Sequence, residues 1–498
     1  MKKHILTGFF FLFLPIVSLP QEKVKNLILM IPDGTSAPVL TLSRWYRFGA
    51  CPADNCRLAV DPYICGLVRT YNSDSPIGDS APTGSTYSTG YLSNTGFVAT
   101  YPVSSGQAKD LFRIDSSRSY HPLTTILEAA RIMGKSTGLV VTCQFPHATP
   151  ADFSAHTADR NQYYVIAKQI VHNHLNVVFG GGTRYLSPKF RNDSTDLFSV
   201  LTSGKYKLIT DYSGFRQVQQ SDSLVWGLFA EDYLPYELDR DPGTVPSLAE
   251  MTRKAMQILS KDPDGFFLMV EGSKIDWAAH ANDGAGMVTE FLAFDDAVKE
   301  AMDFANRDGY TAVIVVPDHG NSGISIGNQR SSKGYDTLGL KSIIDPLKQC
   351  RHTAEGIAKM MLKKPDQLSA IFTENTGLNI STRQRVDLQG FIRKNDFYAL
   401  VNFLTEIINE NGFIGFTTHG HTGEEVMLAV YHPGNYRPSG IITNTELHQY
   451  LTDILNTPDL DSLTDRIFCI DTTALSGLIW NINTAMNDNP RLIIRQSP

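Results

Sequence analysis

No two cysteines in the chain stand in a C-x-x-C spacing, which leaves a zinc knuckle without its ligand pair. A basic excess is missing too. The 44 Lys and Arg are outnumbered by 51 Asp and Glu, and the formal charge of −7 offers no basic face to nucleic acid. Low-complexity tracts and internal repeats are absent, and past the first twenty residues no apolar run is long enough to span a bilayer. What is present is 498 residues of ordinary globular composition, enough for one large α/β domain with insertions rather than several small modules.

Met1 to Pro20 opens with Lys2 and Lys3 and runs through ILTGFFFLFLPIVSL, broken by Pro15. It reads as a secretory signal peptide, so the mature chain is expected to be exported, periplasmic or extracellular, with no membrane span. Of the six cysteines, Cys51, Cys56 and Cys65 lie close enough for one disulfide among them. Cys143 and Cys469 sit in apolar runs, as core thiols do, and Cys350 has no evident partner.

The chain is organised around Phe266 to His280, F-F-L-M-V-E-G-S-K-I-D-W-A-A-H. Its apolar start has strand length and no helical period, which predicts a buried parallel strand ending at Glu271. Gly272 breaks the strand and Lys274 to His280 continues as a helix. Asp276 and His280, four apart, then share one helical face and can offer one cation an oxygen and a nitrogen. Other strands end in the same way. Val24 to Ile31 delivers Asp33, Thr311 to Val316 delivers Asp318 and His319, and Gly138 to Cys143 leads to His147 and Thr149. His419 and His421 precede the strand Val426 to Tyr431.

In I-G-D-S-A-P-T-G-S, Asp79 or Ser80 can cap a helix that Pro82 enters in its first turn, which puts the Ser80 hydroxyl at the positive end of a helix dipole. Arg160, placed early in the helix after the His147 segment, is the side chain best suited to grip a phosphate. His156 reads as a packing residue. Strand-end acids and imidazoles on this scale suffice for three cation sites. Two contain nitrogen and suit zinc, and one is all oxygen and suits magnesium.

From about Lys25 to Pro433 these motifs, in this order, resemble the alkaline phosphatase family. D-S-A-x-T-G-S is similar to its nucleophile motif and H-A-T-P…H-T-A-D-R to its third-metal and phosphate-arginine segment. V-E-G-x-x-I-D-x-x-x-H, D-H-G and H-T-G-E-E-V are similar to its ligand motifs. The resemblance implies hydrolysis of phosphate monoesters with Ser80 as nucleophile. Ser80, Arg160 and Trp277 would face the substrate. Asp276, His280 and His421 would hold one zinc, and Asp318, His319 and Asp33 the second. Magnesium would share Asp33 with Thr149 and Glu271, with His147 in its outer shell. It also implies a large, mostly parallel sheet flanked by helices on both faces, and a homodimer.

Departures from the family pattern are Pro32 before the first aspartate, Pro82 and Ser85 in the nucleophile motif, and Trp277, where many relatives carry Lys or His. Trp277 cannot donate like Lys, so phosphate affinity and metal choice at the third site are expected to differ. The acids of the animal calcium site are missing at Leu228-Phe229-Ala230 and Val245-Pro246-Ser247, so calcium is not predicted. The expected division is a signal peptide over 1–20 and a catalytic domain over 21–341 and 414–456. A helical insertion over 342–413 would shape access or a dimer contact, and an extension of short strands would cover 457–498. The alternatives are a phosphodiesterase of the same superfamily and an exported metal- or phosphate-binding protein without turnover. No cysteine carries the C-x-P/A-x-R sequence that a sulfatase needs.

Overall fold

The computed structural model describes residues 24–51, 56–104, 110–469, 479–483 and 491–495; the signal-peptide reading lies outside them. Strands in chain order are β1 (Asn26–Ile31), β2 (Ile64–Arg69), β3 (Ser136–Gln144), β4 (Val177–Gly181), β5 (Lys207–Ile209), β6 (Val225–Leu228) and β7 (Phe266–Glu271). They continue with β8 (Thr311–Val315), β9 (Gly320–Asn321), β10 (Ser325–Ile326), β11 (Ile414–Gly415), β12 (His421–Thr422), β13 (Val426–Tyr431) and β14 (Gly440–Thr443). Ten of them form one sheet in the order β14-β2-β13-β8-β1-β7-β3-β4-β6-β5. Within it only β13 runs against its neighbours. The short pairs β9–β12 and β10–β11 lie outside the sheet, and Ile479–Asn483 pairs with Arg491–Arg495 as a separate antiparallel ribbon.

The central strands are buried along their whole length, as near-continuous apolar strands inside a parallel sheet must be. Side chains alternate between two cores. Leu27, Leu29 and Ile31 face one cluster, and Ile28 and Met30 the other. The helices Ala37–Phe48, Leu248–Leu259 and Gly284–Asp308 cover the second face. Tyr163–His172 and Asn444–Leu455 cover the first. Fully burying each such aliphatic side chain contributes roughly 1.5–3 kcal/mol. The α/β architecture expected from the sequence is therefore the one observed.

The helices Leu340–Gln349, Ala354–Lys363, Leu368–Thr376, Thr382–Lys394 and Phe397–Asn411 follow one another with no strand between them. Their Leu347, Ile357, Phe372 and Leu404 join the same apolar cluster as Ile28 and Val270, so this stretch extends the core of one face.

Three expectations need correction or completion. Cys469 is exposed rather than a core thiol, because it lies beyond the helix Leu460–Ile467, itself later than the last expected helix. Cys51 is bonded to Cys56, which leaves Cys65 a half-buried thiol on β2. Arg160 sits in the turn before Tyr163–His172 and not inside that helix. An extended bridge between Val98 and Thr157 and an Arg160 N–H bond to the Gly96 carbonyl hold it there.

Candidate active site

Parallel pairing aligns the carboxyl ends of neighbouring strands on one edge of the sheet, where ligands of open α/β sheets gather. Ile31 of β1 and Val141 of β3 both lie opposite Glu271 of β7, and Met30 lies opposite Val315 of β8. Asp33, Glu271, Asp318, His319, His147 and Thr149 consequently emerge side by side. The turn after Asp33 needs a glycine. Gly34 has φ +59°, and a side chain there would strike the Asp276 carboxylate.

Ser80 is the first residue of the buried helix Ser80–Thr89, and its Oγ lies 3.1 Å from His319 Nε2. His319 Nε2 in turn is 3.3 Å from Asp318 Oδ2 and 3.6 Å from Asp33 Oδ1. Beside this group, His280 Nε2 is 3.3 Å from Asp276 Oδ2 and 3.2 Å from His421 Nε2, and His421 Nε2 is 3.6 Å from Asp276 Oδ1. A tetrahedral ion bound at about 2.0–2.2 Å separates its ligands by about 3.3–3.6 Å, which is the spacing these atoms have. The rings of His319 and His421 stack with centroids 3.7 Å apart, so the two groups adjoin.

Tautomers follow from backbone carbonyls, which only accept. The Nδ1–H of His280 donates to His419 O, that of His421 to Gly78 O and that of His319 to Gly320 O. Each Nε2 is then the nitrogen that faces the acids, the one a metal-ligating histidine must offer. Without a cation, and against the effect of burial, Asp276 raises His280 to about 9, so that its Nε2 holds a proton a bound metal would replace. Several of the acid oxygens are unpaired. Both oxygens of Asp33, Oδ2 of Asp318, Oε1 of Glu271 and the Thr149 hydroxyl are buried without a hydrogen-bond partner. Orphaned buried carboxylates are costly unless a cation meets them, so the donor set fits bound metal.

A third group joins Cys143, His147 and Glu271, whose ligand atoms fall within 4.8 Å of one another. The Cys143 thiol donates to Glu271 Oε2 at 3.5 Å, and burial, with Glu271 beside it, raises the thiol well above its usual range.

Charge without a cation is poorly balanced. Burial, helped by Asp318, Asp276 and Glu271, pushes Asp33 well above the carboxylate range, and burial drives Asp318 up to about 6 and Glu271 up to about 7. Burial also holds His147 and His319 down to about 3, neutral and able to accept. Asp276 is the exception. Burial works against its charge, but His280 and His421 hold it well below the usual range.

Arg160 reaches this edge from its turn. Its Nη1–H donates to Asp79 Oδ1 at 2.6 Å, and Nη2 lies 3.5 Å from His147 Nε2. Asp79 is the residue before the helix, yet its carboxylate makes no cap bond and accepts instead from the guanidinium and from the Gly96 N–H. Trp277 packs edge-on against Tyr233 and His147, with the buried Lys274 ammonium 5.2 Å from its ring. Lys274 is held by the Leu234 carbonyl and by the faces of Tyr233 and Tyr236.

The structure thus brings Ser80, Asp33, Glu271, Asp276, His280, Asp318, His319, His421, Thr149, His147, Arg160 and Trp277 to one edge. Sequence reasoning missed Asn321, whose amide donates to Asp276 Oδ1 at 2.6 Å, and the service of Asp79 to Arg160. His156, read as packing, is half-buried and hydrogen-bonded to Glu128 at 3.1 Å.

A family model described as Alkaline phosphatase matches residues 24–457. The chain belongs to the alkaline phosphatase family. Alkaline phosphatase 3 of Bacillus subtilis (strain 168) is 32% identical over 437 residues, covering 86% of this chain and 88% of that protein. Alkaline phosphatase 4 of the same organism is 32% identical over 447 residues, with 88% and 90% covered. Among solved structures, the Thermus thermophilus alkaline phosphatase superposes with a TM-score of 0.77 at 25% identity, covering 88% and 92% of the two chains. The cold-active enzyme of a psychrophilic Shewanella sp. does so at 0.74 and 28%, covering 87% and 100%. As a family member, the chain has alkaline phosphatase activity, the hydrolysis of phosphate monoesters. Among the described residues no helix is long and apolar enough to cross a membrane.

Proposed function

We propose that this chain cleaves phosphate monoesters through a phosphoserine on Ser80, at a site for two zinc ions and one magnesium. The observation that carries the reading is the set of three imidazole Nε2 atoms and buried carboxylates with unpaired oxygens gathered around one serine hydroxyl. Asp276, His280 and His421 would hold the first zinc, and Asp33, Asp318 and His319 the second. Thr149, Glu271 and Asp33 would hold magnesium, with His147 beside it. Metal bound there stabilises a serine alkoxide, the charge on the departing alcohol oxygen and a hydroxide from water at neutral pH.

The chain's own groups do the rest. Ser80 gives up its hydroxyl proton to solvent, Oγ bonds to phosphorus as the bond from phosphorus to the alcohol oxygen breaks, and the departing oxygen takes a proton from water and leaves as the alcohol on the far side, past His280 and His421. Water then attacks phosphorus, the bond to Oγ breaks, a proton lost by the water is balanced by one taken up at Oγ, and phosphate and free Ser80 result. The Arg160 guanidinium, oriented by Asp79, directs its remaining N–H groups at the nonbridging oxygens, and the positive end of Ser80–Thr89 faces the same charge. Trp277 stands where it limits the space beside the third site and supplies no cation.

The test is turnover of a phosphate monoester and a diester before chelation, after it, and after zinc and magnesium are returned. The monoester should be favoured, and its hydrolysis lost and regained. Full monoester hydrolysis in chelated protein would sink the reading, and a preference for the diester would replace it. Export and a homodimer belong to the same reading; secretion of the mature chain and its mass in solution test them.

A further inference from the structure

A groove of about 500 Å³ opens beside the site, between the helix pair Thr382–Lys394 and Phe397–Asn411 and the loop that carries His419. Its inner wall is tied to the candidate metal ligands. His419 Nδ1–H donates to the His280 carbonyl at 2.9 Å, while the His419 carbonyl accepts from His280 Nδ1 at 2.6 Å. The outer wall is aromatic, with Phe391 and Phe403 tilted at 5.6 Å between centroids and Phe416 also lining the groove. Asn402 and Glu406 add an amide and a carboxylate.

Ser80 lies against the buried His319, whereas His280, whose side chain is the most exposed of the three imidazoles around the reacting centre, is bonded through its carbonyl and its Nδ1 to His419 at the edge of the groove. We infer that this groove receives the alcohol half of the substrate, and that the preferred substrates are monoesters of neutral alcohols bearing a planar ring with N–H donors on its edge, the chemistry of a nucleoside. The inference rests on the phosphomonoesterase reading. Phenylalanine faces favour a flat ring, the Asn402 amide and Glu406 carboxylate meet its donors, and the carboxylate disfavours alcohols carrying further negative charge.

The probes are adenosine 5′-monophosphate and ribose 5-phosphate, which has an anomeric hydroxyl in place of the base, and octyl phosphate as an apolar ester without a ring. All are assayed on the metal-loaded enzyme. The ratio of kcat/KM for the nucleotide over ribose 5-phosphate should exceed about tenfold, and Phe403→Ala or Phe391→Ala should lower it about tenfold, mainly through KM. Phe403→Leu, which keeps the packing and removes the ring, should lower it too, with an unchanged Tm excluding misfolding. A wild-type ratio near one, variants that leave the ratio where it was, or octyl phosphate matching the nucleotide would each overturn the inference while the phosphatase reading stands. If loaded wild-type protein turns over none of the three esters, the phosphatase reading fails and the groove proposal falls with it.

Discussion

Metal-free protein should lose stability as pH rises from about 4.5 to 7, in a way that Glu271→Gln removes. Burial lifts Glu271 from its ordinary 4.5 up to about 7. Its folded form therefore keeps a proton over a range where the unfolded chain has released it. Below 4.5 both states are protonated and no difference arises. Above that, the folded state binds more protons, so stability falls with pH until the folded group ionises near 7. Keeping this carboxylate charged at pH 8 costs on the order of 3 kcal/mol, or roughly 3 °C in Tm for a chain of this size. The assay is thermal unfolding of chelated wild type and chelated Glu271→Gln from pH 4.5 to 8.5. The Tm of the wild type should fall relative to that of the variant across this window, and zinc with magnesium should restore it most at the high end, where the carboxylate is free to bind. Parallel curves, with no gap opening between pH 4.5 and 7, would refute the claim that Glu271 is a buried acid waiting for a cation.

Other perturbations follow from the same geometry. Asp276→Ala and His421→Ala should each abolish monoester turnover and reduce bound zinc, measured by metal analysis after gel filtration. Arg160→Ala should lower kcat/KM about 10- to 100-fold by removing charge-assisted hydrogen bonds worth about 1.5–3 kcal/mol, and inhibition by inorganic phosphate should weaken in step. Asp79→Asn should give a smaller loss, since it frees the guanidinium without removing it. The His156 and Glu128 pair tests the core. Burial works against both charges, yet each partner raises the imidazole and lowers the carboxyl from their ordinary 6.5 and 4.5. The stability this gives is fully present below pH 6.5 for His156, and is lost as pH rises through its raised value. The Glu128 share is lost as pH falls through its lowered one. His156→Asn should therefore cost more Tm at pH 5–6 than at pH 9.

Much of this was legible in the sequence because strong local patterns carried it. The continuous apolar strands β1, β7 and β8 announced a parallel sheet, and the spacing of Asp276 and His280 announced a shared face. Where local pattern was weak, reading failed. β2 alternates between exposed and half-buried positions with one buried residue, and β14 is an exposed edge, so neither carried a core signature. The two-residue ladder β9–β12, which brings His421 to Asp276, is made of backbone pairing between distant segments, with no side-chain periodicity to betray it. Asp79 stood at the position of a helix cap, and its true partner, Arg160, is supplied by a distant turn. Cys469 followed an apolar run that proved to be the end of an exposed amphipathic helix.

In the proposed reaction Ser80 Oγ is the atom that accepts the phosphoryl group. Metal-loaded protein mixed with a phosphate-labelled monoester, quenched in acid and digested should yield one labelled peptide, with the label on Ser80 and absent from Ser80→Ala. Undiminished turnover with label on another residue, or with Ser80→Ala as active as wild type, would contradict it.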